Sequence, residues 1–233
     1  MEPLSHLSKR LLQACINEYG GKYGGSQKIF DKVMPFKVGN VEGHFGLLNN
    51  DKYSLYIIFR GSDGKKDWRD NFKFWKKDVR KLKPYDTMDS KIRVHTGFIT
   101  QYKTVRDIIH AQVKNTKPRI IYVAGHSLGG ALATLCAVDL QYNFCDSKDT
   151  VINVACLTYG SPRVGNKYFV KSFNNRIIRS HRYVCRDDIV CHVPYSWMGY
   201  RHVATKIQLG KRRWYMPAGY HKDHYPQRYM EYL

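Results

Sequence analysis

One stretch constrains this chain more than any other: Ile120-Ile121-Tyr122-Val123-Ala124-Gly125-His126-Ser127-Leu128-Gly129-Gly130-Ala131-Leu132-Ala133. A run of β-branched and aromatic residues ends in Gly-His-Ser-Leu-Gly, and small, helix-prone residues follow at once. That is the strand, sharp turn and helix of a nucleophile elbow, in which flanking glycines tolerate a strained turn and the serine hydroxyl is held clear of the backbone. A bare Gly-x-Ser-x-Gly arises by chance in roughly one chain in ten of this length. The strand before it and the helix after it are what make Ser127 a candidate nucleophile.

The 233 residues suit a single domain, 1–233, and 43% hydrophobic residues suffice for a sizeable core. A formal net charge of +20 favours an acidic partner, whether an anionic membrane surface, an acidic substrate or nucleic acid, and says nothing about fold. No apolar run approaches the ~18 residues that a membrane-spanning helix needs. Leu4, Leu7, Leu11, Ala14, Cys15 and Ile16 fall on one helix face, predicting an amphipathic helix over 4–19, ended by Gly20-Gly21, rather than a signal peptide. Six cysteines without a Cys-x-x-Cys pattern predict free, mostly buried thiols and an intracellular setting, soluble or peripheral to membranes. Cys185 and Cys191 bracket an acidic pair, the one spacing that invites a bridge.

Along the chain, Lys28–Val38 and Val41–Leu48 read as antiparallel strands about a Gly39-Asn40 turn, and Tyr53–Phe59 as a strand buried on both faces. Residues 63–93 are the most basic segment, predicting a loop or short helix and then an exposed strand. Ile92–Phe98 reads as a short strand, 101–115 as a helix, 119–125 as the elbow strand and 128–142 as its helix. Val151–Tyr159, Arg176–Val184 and Val203–Leu209 read as further strands, Trp214–Met216 as another, and 167–174 as a helix. This alternation predicts an α/β fold with a mostly parallel central sheet flanked by helices. Ser62, Ser127 and Asp188 each follow a predicted strand, and catalytic groups gather at the C-terminal ends of parallel strands.

A serine nucleophile needs an imidazole base oriented by a carboxylate, in the chain order Ser, Asp/Glu, His for this fold type. Asp139 lies on the elbow helix and Asp146 and Asp149 in a polar loop, so all three are predicted to be solvated. Asp188 precedes the apolar pair Ile189-Val190 and is predicted to turn inward, with Asp187 as its surface neighbour. Among the later histidines, His192 is too near the acid in sequence, and His202 reads as a half-buried structural residue. His224 is the preferred base and His221 the second; their i, i+3 spacing without a nearby cysteine is a weak metal signal. Leu128, first in the elbow helix, and Ser62 supply candidate oxyanion donors.

Several separated motifs resemble the class 3, fungal-lipase-like α/β-hydrolases: Phe59-Arg60-Gly61-Ser62 with Asp67-Trp68, Val94-His95-Thr96-Gly97-Phe98, the elbow itself, Tyr159-Gly160-Ser161-Pro162-Arg163-Val164-Gly165-Asn166, Asp188-Ile189-Val190 with Pro194, Gly199-Tyr200-Arg201-His202-Val203, and Asp223-His224-Tyr225 with Tyr229. The resemblance implies an α/β-hydrolase fold with a short lid segment and a triad of Ser127, Asp188 and His224. It also implies an oxyanion hole from Ser62 and Leu128, hydrolysis of carboxylic esters of acyl lipids, and no metal or organic cofactor. Cys191 stands where the family pattern leads one to expect proline. The lid region, Asp63–Phe72, surrounds a single Trp68 with Lys65, Lys66, Asp67, Arg69 and Asp70, leaving little apolar area for opening onto neutral fat. Lys65, Lys66, Arg69, Lys73, Lys76 and Lys77 instead suit peripheral contact with an anionic phospholipid surface. A basic, non-catalytic scaffold is the remaining class, and no sequence-reading nucleic-acid motif accompanies the charge.

Overall fold

The apolar run Leu55–Phe59 has no polar face to offer solvent, so it belongs in the middle of a sheet covered on both sides. A computed structural model describes residues 4–20, 26, 28–62, 82–84, 91–145, 152–213 and 220–233, and places it there. The strands are β1 (Lys32–Val38), β2 (Val41–Leu48), β3 (Asp51–Phe59), β4 (Leu82–Pro84), β5 (Arg93–His95), β6 (Ile120–His126), β7 (Asn153–Tyr159), β8 (Gly165–Asn166), β9 (Arg179–Cys185), β10 (Tyr200–Arg201) and β11 (Thr205–Leu209). The helices are α1 (Leu4–Tyr19), α2 (Thr96–Thr116), α3 (Leu128–Leu140), α4 (Lys167–Arg176) and α5 (Pro226–Tyr232).

The main sheet runs β1-β2-β3-β6-β7-β9-β11, antiparallel across β1, β2 and β3 and parallel from β3 to β11. Its faces follow from strand alternation. Leu55, Ile57, Phe59, Ile121 and Val123 pack under α2, α3 and α4; Tyr56, Ile58, Ala124 and Leu157 pack under α1 and α5. Register brings Phe59 opposite Gly125, His126 opposite Tyr159, and Tyr159 opposite Tyr183. The loops after β3, β6, β7 and β9 therefore emerge side by side. A second, small sheet, β10-β8-β5-β4, lies outside this one.

The mostly parallel sheet flanked by helices agrees with the sequence reading, with several local corrections. Residues 28–31 turn instead of extending, with Ile29 N and Phe30 N donating to Ser26 O. The strand expected over Ile92–Phe98 stops at His95, whose ring accepts from Phe98 N at 3.4 Å and starts α2 five residues earlier than its apolar periodicity shows. Asp139 is buried rather than solvated. It accepts from Tyr102 Oη at 2.7 Å, Arg106 Nε at 3.0 Å and His110 Nε2 at 2.5 Å, tying α2 to α3. Burial alone raises its pKa, but the bonds from His110 and Tyr102 and the charge of Arg106 hold it below the usual carboxylate value. The lid region Asp63–Phe72, the basic residues Lys65, Lys66, Arg69, Lys73, Lys76 and Lys77, the acids Asp146 and Asp149, and the strand expected at Trp214–Met216 lie outside the described residues.

Replacing Asp139 by Ala strands three buried or half-buried donors and is expected to destabilise the fold by about 3 kcal/mol. Urea unfolding at neutral pH measures this, and a change within error of zero contradicts the role.

Candidate active site

Ser127 leaves β6 with φ 58° and ψ −126°, a conformation that L-residues avoid, and its N–H donates to Tyr159 O at 2.9 Å. The chain then folds straight back into α3. The approach is so close that a Cβ on Gly129 would sit 2.4 Å from Phe59 O, and one on Gly125 2.2 Å from the Gly129 carbonyl. Only hydrogen fits at either place, which is the physical content of the two flanking glycines. The same packing lays the end of β3 against the first turn of α3, which begins with Leu128; Ser62, three residues after β3, is half-buried. First-turn N–H groups have no intrahelical acceptor and carry the positive end of the helix dipole.

Asp188 and His224 come together at the next strand end. Asp188 is fully buried, and His224 Nδ1 lies 2.7 Å from its Oδ2 and 2.9 Å from its Oδ1. Gly160, at φ 59° just after β7, is where both press: a Cβ there would lie 2.7 Å from Asp188 Oδ2 and 2.9 Å from His224 Cε1. Val190 N donates to Oδ1 at 2.8 Å, and Tyr229 Oη donates to Oδ2. The Cys191 thiol, in the position where proline was expected, points a weak donor at Oδ2 from 3.7 Å. With Nδ1–H given to Asp188, neutral His224 carries its lone pair on Nε2.

His126, inside the elbow, supports this pair from behind. It is fully buried, and its pKa is pushed well below the usual value, by burial first and then by the neighbouring His224. A neutral ring has one donor and one acceptor. Nε2–H donates to His224 O at 2.8 Å, so Nδ1 accepts from Tyr19 Oη at 2.6 Å. Burial raises the Tyr19 pKa and keeps that hydroxyl protonated. Sequence reasoning assigns no role to His126 or Tyr19; the histidine's place between Gly125 and Ser127 was the available signal.

The structure corrects the expectation that Asp187 faces outward. It is fully buried, accepting from Arg213 N at 2.7 Å and Arg212 Nε at 3.0 Å, while its own N–H donates to Asp223 Oδ2 at 3.2 Å. Arg213 also pairs with Asp223, and Tyr220 N donates to Asp187 O at 2.6 Å. These contacts clip the segment that carries His224 onto the loop that carries Asp188. His221 is exposed, and His202 gives Nε2 to Cys191 O at 2.6 Å. His192 is half-buried on the outer loop. Cys15, Cys136, Cys156, Cys185 and Cys191 are free thiols, so Cys185 and Cys191 do not pair.

The comparisons agree with this architecture. The family described as Lipase (class 3) matches residues 56–197. The chain belongs to the class 3 lipase family. It is 32% identical over 171 residues to secreted mono- and diacylglycerol lipase 1 of Fusarium solani, covering 72% of this chain and 47% of that protein. It is 33% identical over 160 residues to a lipase of Rhizomucor miehei, covering 67% of this chain and 42% of that protein. The chain therefore spans less than half the length of these relatives. Lipase II from Rhizopus niveus shares the fold, with a TM-score of 0.74 over 96% of this chain and 94% of that one at 22% identity.

Two expected outcomes follow for this site. The Asp187 pKa is held below the usual carboxylate value: burial opposes this, but the Arg213 N–H, Arg212 and the charges of both arginines prevail. Its contribution is therefore complete above the unfolded value near ~4 and is lost as pH falls through the lower folded value. Asp187→Asn is expected to cost about 2 kcal/mol at pH 7 and progressively less toward pH 3, read by urea midpoints at each pH. His126→Phe keeps the ring volume but strands Tyr19 Oη and the His224 carbonyl, an expected loss of roughly 2–4 kcal/mol, also read by denaturant unfolding.

Proposed function

We propose that residues 1–233 act as one domain that hydrolyses carboxylic esters of acyl lipids, with Ser127 as nucleophile, His224 as base and Asp188 as the acid that orients it. The observation that carries this reading is the buried His224–Asp188 hydrogen bond, seated on Gly160, one strand over from the strained Ser127. In the proposed first step Ser127 Oγ attacks the ester carbonyl carbon and His224 Nε2 takes the hydroxyl proton. The carbonyl oxygen becomes an oxyanion, stabilised by Leu128 N–H and by Ser62. Collapse returns the proton to the departing alcohol and leaves an acyl ester on Ser127. Water, deprotonated by His224, then releases the fatty acid. No step calls for a metal or organic cofactor. The name of the Fusarium solani relative supports an acylglycerol substrate.

A second reading concerns the surface at which this takes place. Lys65, Lys66, Arg69, Lys73, Lys76 and Lys77 follow Ser62 closely in sequence, and a net charge of +20 favours an anionic phospholipid surface and phospholipase A-type activity there. Among the described residues no helix is long and apolar enough to cross a membrane, consistent with peripheral contact. Five free thiols among the described residues suit a reducing, intracellular compartment, whereas the Fusarium solani relative is named as secreted.

Ser127→Ala is expected to lower short-chain ester turnover at least a thousandfold and to abolish labelling by a fluorophosphonate, with thermal stability retained. Turnover within tenfold of wild type in that variant contradicts the mechanism.

A further inference from the structure

The loop that leaves Asp188 carries two large aromatic rings that the core does not use. Trp197 is 80% exposed and Tyr195 49% exposed, and their rings stack at 5.8 Å between centroids with planes 11° apart. Trp197 lies in a single 3-10 turn, Ser196–Met198, that Tyr195 leads into, closed by Met198 N to Tyr195 O at 3.1 Å and Gly199 N to Ser196 O at 3.0 Å. Arginines hold this turn from beneath. Arg201 Nη1 donates to Ser196 O at 2.5 Å and Tyr200 O at 2.8 Å; Arg163 Nη1 donates to Pro194 O at 2.9 Å and to His192 O. The aromatic plate is thus held out in water on a braced support, with little left to order on binding.

The surroundings are positive. Buried Arg182 and exposed Lys206 are register neighbours on β9 and β11, and Arg182 Nε donates to Val203 O at 3.4 Å. Among the described residues no carboxylate pairs with Arg163, Arg182, Arg201 or Lys206. The field is felt by the histidines. Burial first, and then Arg163 for His192 and Arg182 for His202, pushes both imidazoles below their usual pKa. Trp and Tyr settle at the headgroup level of a bilayer, where each has an apolar body and a polar handle, and neighbouring arginines gain from anionic phosphates. A protruding, exposed aromatic plate suits insertion at the headgroup level of a lipid surface.

We propose that Tyr195 and Trp197, with Arg163 and Arg201 at their base, form an anchor that seats the protein on an anionic phospholipid surface. It rests on the ester-hydrolase reading only in that the anchored loop leads directly from Asp188. The test is co-sedimentation of wild type, Trp197→Ala and Tyr195→Ala/Trp197→Ala with phosphatidylcholine vesicles and with vesicles enriched in phosphatidylglycerol. Trp197→Ala is expected to weaken partitioning onto both about tenfold while leaving short-chain ester turnover unchanged. Raising salt is expected to remove the wild-type preference for anionic vesicles. Wild-type partitioning by the double variant, a salt-insensitive preference, or a Trp197→Ala variant that instead dissociates a dimer in sedimentation velocity each overturns the anchor. Ester turnover that survives Ser127→Ala overturns the hydrolase reading alone, because vesicle partitioning does not depend on Ser127.

Discussion

A carboxylate without water must be surrounded by donors or give up its charge, and Asp188 meets that requirement with groups from its own turn and from the C-terminal segment. The backbone of Val190 comes from its own turn, the imidazole from His224, the hydroxyl from Tyr229 and a thiol from Cys191. Satisfying one buried acid therefore fixes a 3-10 turn, a histidine-bearing turn and helix α5 at once. It also fixes which nitrogen of His224 bears the proton. The packing of the site and the orientation of the His224 ring rest on the same small set of hydrogen bonds.

Around that acid the molecule uses charge and neutrality in separate places. Asp187, one residue earlier, is buried because Arg212 and Arg213 come with the segment it must hold. His126 is buried by the opposite means. It stays neutral, gives one hydrogen to the His224 carbonyl and accepts one from Tyr19. A cation there would face a second imidazole 4.5 Å away between ring centres. The arrangement reaches from α1 through the elbow to the turn that carries His224.

The elbow, the strands on both sides of it and the α/β alternation were legible because they depend on neighbours in sequence: β-branched runs, flanking glycines and helix-face periodicity. The choice of Asp188 over Asp187 and of His224 over His221 came chiefly from the family resemblance, and the structure brings that pair together in one buried hydrogen bond. Asp187 was misread because alternation assigns a residue to a side of the chain and cannot foresee two arginines arriving some twenty-five residues later. Asp139 was misread likewise, its partners lying on another helix. The start of α2 escaped notice because a histidine ring caps it and Thr96-Gly97 are poor helix formers. His126 and Tyr19 show their roles only when α1 closes over the sheet, which no local pattern records.

The order in which these pieces lie along the chain has a consequence for how the protein is made. Ser127 and its elbow lie near the middle of the chain, whereas both Asp188 and the His224 turn come later. At a ribosome's pace of roughly 5–20 residues per second, His224 is polymerised about five to twenty seconds after Ser127. Throughout that interval Ser127 lacks the base proposed for it. On the proposed mechanism, ester cleavage must therefore wait until the turn that begins at His221 docks.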